Sequence, residues 1–251
     1  MGPQNTRTRL RLRDPRDFDI LAGRDVGRVF ADLEDSGAVL RNAAWHAPFG
    51  PDQRDPASYD HLVVAEDKTD GRPQALLGAD VLRTAEEEFL FIHTAFVCPA
   101  ARGRRVLRRM VTTALMQAAR TGPVPRVIVI RSLNPAFYRA LHRLARDFGV
   151  RLYPDLPNGP VDLRAAALAR RVAHRISPSC RFESGSGTVR GSFQLHVLAG
   201  GIRPASSKDP ALDKAFAECL GPNDQFLLLL DLRDLDAWTI MDIARRVRRR
   251  K

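Results

Sequence analysis

Residues 89–120 read FLFIHTAFVCPAARGRRVLRRMVTTALMQAAR, and the rest of the chain is arranged around them. Phe89 to Val97 are apolar and rich in aromatic and β-branched types, which suits a buried strand. Pro99 has no N–H to give and ends the ladder. Ala100 to Gly103 form a short turn. Val106, Leu107, Met110, Val111, Ala114, Leu115 and Ala118 then recur at helical spacing and define one apolar face. The strand thus delivers the chain to a helix N-terminus, where Arg102, Arg104, Arg105, Arg108 and Arg109 crowd together.

That crowding has a physical consequence. A helix N-terminus carries unpaired N–H groups and the positive end of the macrodipole. Arginines there oppose the dipole unless an anion sits among them, and phosphate is the natural candidate. The alternative is a plain solvated basic face.

Residues 125–153, PRVIVIRSLNPAFYRALHRLARDFGVRLY, supply a second strand–helix unit. Val127 to Ile130 form a short apolar strand. Asn134 and Pro135 predict an N-cap followed by a first helical position. Ala136, Phe137, Ala140, Leu141 and Leu144 continue the helix, Gly149 ends it, and Val150 to Tyr153 begin another strand.

Together the two stretches resemble the GNAT superfamily of acyl-CoA-dependent N-acyltransferases. Its central strand and pyrophosphate loop usually read Val-x-Pro-x-x-Arg-Gly-x-Gly-x-Gly or Ala; Val97, Pro99, Arg102 and Gly103 match. Its later motif, Asn-x-x-Ala-x-x-x-Tyr or a near variant, is matched closely by Asn134, Pro135, Ala136, Phe137 and Tyr138. Phe148-Gly149 stands where the family has Gly-Phe. The resemblance spans roughly residues 8 to 155. The second and third loop glycines are replaced by Arg105 and Leu107. Glycine serves there to let backbone approach the pyrophosphate.

The resemblance implies an α/β (α+β) fold: a GNAT-like mixed sheet flanked by helices, with a C-terminal helix-strand-helix extension. Residues 1–155 would form the acyltransferase domain. Residues 156–251 would form the extension, packed on it and able to complete the sheet. The implied co-substrate is acetyl-CoA or another acyl-CoA, with no metal, and the implied partner is an amine-bearing acceptor.

Composition sets looser bounds. The chain has 251 residues, a net charge of +11, and 44% hydrophobic residues, enough for a real core. Of its 40 basic residues only Lys68, Lys208, Lys214 and Lys251 are lysine, a bias that a GC-rich bacterial genome explains as well as function does. A basic chain attracts CoA phosphates, nucleic acid, acidic lipid or an acidic partner, and charge alone does not choose. The three cysteines, Cys98, Cys180 and Cys219, lack metal spacing and argue for a reduced, cytoplasmic protein. No apolar run reaches membrane-spanning length, and no secretory signal is evident. Met1-Gly2 with Thr6 fits a myristoylation pattern only by its brevity.

Outward from the centre, Leu10 to Arg13 alternate as an edge strand, and residues 14–33 carry helical spacing. Residues 44–59 form a long loop containing Trp45, His46, Phe49 and Tyr59. His61–Glu66 and Ala75–Arg83 form a hairpin. Beyond a linker at 155–160, Val161–Ile176 is helical, and residues 177–192, rich in Ser and Gly, predict a mobile loop. Asp209–Leu220 is a short helix, and Gln225–Leu232 (QFLLLLDL) is a strand buried on both faces. Asp236–Arg250 is a terminal amphipathic helix with Trp238, Ile240, Met241, Ile243, Ala244 and Val247 apolar and a basic end. That end is solvated or touches nucleic acid or an acidic partner, though no nucleic-acid motif is present.

N-acyl transfer needs a base for the amine, an oxyanion site and an acid for the thiolate. The family's base position falls on His93, a residue type that can serve as a general base. A core histidine bonded to backbone is the other reading; Glu86, Glu87 and Glu88 are alternative bases but look like a solvated turn. The resemblance assigns Val97 and Cys98 N–H to the thioester carbonyl and Arg102, Gly103, Arg104, Arg105, Val106 and Leu107 to the pyrophosphate. It gives Tyr138 the acid role and Asn134 the pantetheine arm. Tyr138 packed on the sheet and Asn134 as a plain N-cap would look identical in sequence. A second function stands beside the enzyme: an inactive GNAT-like binding module using its basic surface for a protein or nucleic acid.

Overall fold

The computed structural model describes residues 8–13, 59–67, 73–84, 87–97, 101–156, 159, 162–192 and 206–249. The helical stretch at 14–33, the loop residues Trp45, His46 and Phe49, and Glu86, Cys98 and Pro99 lie outside the described residues.

The strands are β1 (Thr8–Arg13), β2 (His61–Asp67), β3 (Pro73–Arg83), β4 (Glu88–Val97), β5 (Val127–Ser132), β6 (Leu152–Tyr153), β7 (Arg181–Glu183), β8 (Thr188–Arg190) and β9 (Gln225–Asp231). The helices are α1 (Val106–Thr121), α2 (Pro135–Phe148), α3 (Leu163–Ile176), α4 (Pro210–Cys219) and α5 (Ala237–Arg249). Among the described residues the strands form one sheet in the order β1-β2-β3-β4-β5-β9-β8-β7, with β6 also paired to β9. β4 and β5 run parallel; the other pairs are antiparallel.

The sequence pattern explains the layering. Alternate residues point to opposite faces of a strand. Leu90, Ile92, Ile128, Ile130, Leu228 and Leu230 join the apolar stripes of α1, α2 and α5 in one core. Phe89, Phe91, Val127, Val129, Leu227 and Leu229 join α3 in the other. Phe226 to Leu230 are fully buried, as a run apolar on both faces requires. Each such leucine contributes roughly 1.5–3 kcal/mol of burial. The strand read at 225–232 therefore lies within the sheet, against β5, in register Ile128↔Leu230 and Ile130↔Leu228.

Three expectations need correction. Residues 177–192 are not a mobile loop but the β7–β8 hairpin, which pairs with β9 through Thr188↔Phe226 and Val189↔Gln225. Arg190 pins it, reaching Glu183 at 2.7 Å and Asp224 at 2.5 Å. Burial works against the Asp224 carboxylate, but Arg190 and the N–H groups of Gly191 and Gly221 hold its pKa below the usual range. Glu87 is not in a solvated turn: it is half-buried and meets Arg233 at 2.5 Å and Arg171 at 3.6 Å. Trp238 does not join the buried stripe of α5. That stripe is Ile240, Ala244 and Val247 at i, i+4, i+7, which leaves Trp238 72% exposed.

Candidate functional site

The site begins where two parallel strands part. On the described residues the β4–β5 ladder covers Phe89–Ile92 against Val127–Ile130. β4 continues to Val97 and β5 to Ser132, but β5 turns its pairing to β9 alone. His93 to Val97 are half-buried, in contrast to the sealed Phe89–Ile92. A notch therefore opens beside the last residues of β4, with backbone groups along its edge.

The turn after β4 keeps the shape that glycines would give. Gly103 has φ 78° and Arg105, at the N-cap of α1, has φ 62° and ψ 12°, both left-handed. A left-handed residue with a side chain costs about 1–2 kcal/mol, so the turn holds Arg105 in a glycine's conformation. Arg102 to Arg105 are exposed, and no side chain caps α1. Arg102 Nε donates to Val97 O at 3.2 Å, tying the turn to the end of β4. Val106 and Leu107 send their side chains into the core, so Leu107 does not fill the cradle. Arg108 is drawn away by Asp147 of α2 at 2.7 Å.

His93 stands at a slip in register. Gly78 pairs with Thr94 and Ala79 with Ile92, leaving His93 as the extra residue of a bulge. Bulges re-aim side chains beside functional sites. His93 Nε2 lies 2.9 Å from Asp80 Oδ2 on β3. Asp80 is buried, and its other oxygen accepts from Asp60 N at 2.8 Å. Asp60 in turn accepts from Val81 N at 3.0 Å. The ring of Tyr59 stacks on His93 at 5.2 Å, and Phe91 meets it edge-on at 4.3 Å. The Arg131 guanidinium lies 5.8 Å from the Phe91 ring and donates to Ser177 Oγ at 2.7 Å. Nearby His61 is buried with Nε2 unpartnered, and burial lowers its pKa despite Asp60 and Asp80.

Tyr138 and Asn134 lie at the start of α2. Asn134 Oδ1 accepts from Ala136 N at 2.9 Å and Phe137 N at 3.4 Å, as an N-cap. Tyr138 is buried; its hydroxyl donates to Pro154 O at 3.0 Å and accepts from Leu156 N at 2.7 Å. Burial pushes its pKa up to about 12. The hydroxyl is neutral at pH 7, as an acid must be, but here it clasps residues 154–156. A cleft of about 400 Å³ lies beside this helix start, lined by Leu133, Pro135, Phe216, Leu220 and Asp224.

The described residues thus run strand, strand, strand, helix, strand, helix, strand from β2 to β6, with the loop and helix motifs on the elements assigned to them. This is the element order that the GNAT resemblance implies. No family model matches the chain, and no curated protein matches its sequence. Solved structures do resemble it. A diaminobutyrate acetyltransferase from Paenibacillus lautus, bound to L-2,4-diaminobutyric acid and coenzyme A, is 18% identical with a TM-score of 0.40, over 62% of this chain and 89% of that one. A GNAT family acetyltransferase from Brucella melitensis bound to acetyl-CoA is 17% identical with a TM-score of 0.29, over 62% and 95%. The N-acetylglutamate synthase of Neisseria gonorrhoeae, bound to coenzyme A and N-acetyl-glutamate, is 14% identical with a TM-score of 0.36, over 90% and 35%.

The fold brings Val97, Arg102, Gly103, Arg104 and Arg105 together at one turn, with His93 on the strand that leads into it. Val106 and Leu107 offer only backbone there. Cys98 lies outside the described residues. Sequence reading missed Asp80, Asp60 and the placement of Tyr59. The one available signal was a lone carboxylate, Asp80, inside the apolar run LLGADVL. Among the described residues no group of His, Cys, Asp and Glu could hold a metal ion.

Proposed function

We propose that this chain transfers an acyl group from acyl-CoA to an amine. The observation that supports it most is the turn at 102–105: left-handed at Gly103 and Arg105, uncapped, arginine-lined, and tied to the end of β4. Such a helix N-terminus suits a pyrophosphate. Arg102, Arg104 and Arg105 add charge-assisted donors, and the N–H groups of Gly103, Val106 and Leu107 add backbone donors. The pantetheine arm and thioester would then run along the notch beside Val97.

The base is His93. Asp80, held by Asp60 N, accepts from Nε2 and so leaves the lone pair on Nδ1. The acceptor amine attacks the thioester carbon, and its proton passes to Nδ1. Backbone N–H at Val97 or Cys98 steadies the oxyanion. Collapse breaks the C–S bond, releasing amide and CoA thiolate. Tyr138 protonates the thiolate only if residues 154–156 release its hydroxyl; in the present geometry it braces α2, whose start Asn134 caps.

The test is thiol release from acetyl-CoA and a longer acyl-CoA against a panel of amines. Amine-dependent release is expected. No release with any pair, together with strongly salt-dependent binding of DNA or RNA, would instead support a basic binding module on this fold.

A further inference from the structure

Helix α5 buries one side and leaves a patterned stripe on the other. Ile240, Ala244 and Val247 face the core. At 3.6 residues per turn, Trp238, Asp242, Arg245 and Arg249 fall on the opposite side, at i, i+4, i+7 and i+11. Trp238, Arg245 and Arg249 are exposed, and Asp242 is half-buried. Alternating steps of four and three are the spacing of a seam between two helices.

The groups on this stripe are available for a partner. Trp238 leaves a large, rigid ring in water, the kind of side chain that anchors interfaces. Arg245 and Arg249 meet no carboxylate among the described residues. Arg246 engages Asp242 Oδ2 at 2.8 Å, and Asp242 Oδ1 has no hydrogen bond among the described residues.

The pattern selects the occupant. Its steps of four, three and four read the same from either end. A second copy of α5, turned end over end, therefore sets Asp242 against the partner's Arg245 and Trp238 against the partner's Arg249. Two-fold symmetry repeats both contacts. Arginine pairs with carboxylates and stacks on indole faces. A parallel copy would set Asp242 against Asp242 and each arginine against its like, so repulsion excludes it. Nucleic acid suits the stripe less well. Asp242 stands between Trp238 and the two arginines, and exposed Asp234 and Asp236 precede the tryptophan. A strand stacking a base on Trp238 would carry its phosphates among carboxylates.

We infer that the outer side of α5 is a self-pairing surface, through which two copies of this chain associate with their α5 helices antiparallel. Asp242 meets the partner's Arg245, and Trp238 meets the partner's Arg249. The helix has 13 residues, roughly 20 Å of length. The contact is smaller than that of a permanent dimer, so association is weak and depends on concentration. It is independent of the acyl-CoA reading.

The experiment is sedimentation equilibrium of the full chain over a wide range of concentration, on wild type, Trp238→Ala, Asp242→Arg and Arg245→Asp. Wild type should pass from monomer to dimer as concentration rises. Trp238→Ala should weaken association by about tenfold, the scale of an interfacial aromatic anchor. Asp242→Arg sets arginines face to face, and Arg245→Asp sets carboxylates face to face, so each alone should stay monomeric. Mixed in equal amounts, these two variants regain both ion pairs, and a heterodimer should form. That recovery separates lost pairing from lost folding. A wild type that stays monomeric throughout, or a dimer that all three substitutions leave intact, overturns the inference. So does a mixture that stays monomeric where wild type dimerises, or a monomeric wild type that binds single-stranded DNA through Trp238.

Discussion

His93 Nε2 lies 2.9 Å from Asp80 Oδ2, across the single point where the β3–β4 register slips. The bulge sets the histidine, and the buried carboxylate fixes its tautomer. His93→Ala should therefore lower kcat for acyl transfer by about 10²–10⁴, the range of general base catalysis, with the KM for acetyl-CoA little changed. Asp80→Asn should lower it less and shift the pH–rate profile. Steady-state kinetics over pH checks this; an unchanged kcat in His93→Ala removes the base assignment.

Gly78 gives Tyr59 its place. A Cβ at Gly78 would come within 2.2 Å of the Tyr59 ring, which is buried and stacks on His93. Gly78→Ala should cost about 1–3 kcal/mol through overpacking. It should also lower kcat by displacing Tyr59 from the histidine. Denaturant unfolding with parallel kinetics reads both; a fully stable, fully active variant would mean the ring moves aside freely.

Tyr138→Phe separates two roles. It leaves Leu156 N and Pro154 O without their hydroxyl partner, at about 1–3 kcal/mol. Because the folded pKa is about 12 against an ordinary 10, wild type should also lose stability as pH rises from about 10 to 12. The phenylalanine variant should lack its share of that loss. A variant that folds as wild type does but has lost turnover would restore the tyrosine as acid.

His61 makes stability sensitive to mild acid. Burial sets its folded pKa below the ordinary 6.5. As pH falls, the unfolded chain binds the proton first. Stability is therefore complete above pH 6.5 and declines as pH drops toward the folded value. Thermal unfolding between pH 7.5 and pH 5, on the order of one to two units about the ordinary value, should show a shallower fall in His61→Gln than in wild type. Equal slopes would place the acid sensitivity elsewhere.

Much of this is legible in the sequence. Asn134-Pro135 announced its helix because an N-cap and a first-turn proline act locally. QFLLLLD announced a strand covered on both faces, since a short apolar run bounded by turn signals suits one. The β7–β8 hairpin was not legible. Its three-residue strands carry little apolar pattern, and Arg190 and β9 hold it from far along the chain. The bulge at His93 was invisible for the same reason: register belongs to two strands at once. Asp80 showed only as an odd carboxylate in an apolar strand, with no partner named. The loop at 102–107 was read in part. The replaced glycines are plain in the sequence; that Arg105 still takes the left-handed conformation and Leu107 turns inward is not.

The central claim is that the arginine-lined turn holds an acyl-CoA. Titration calorimetry of the full chain with acetyl-CoA, repeated on Arg102→Ala with Arg105→Ala, addresses it most directly. The account predicts saturable one-to-one binding within the range of about 1 µM to 1 mM typical of enzyme substrates, lost in the double variant. No heat of binding and no rise in Tm at saturating acetyl-CoA, in a folded wild-type protein, would contradict it.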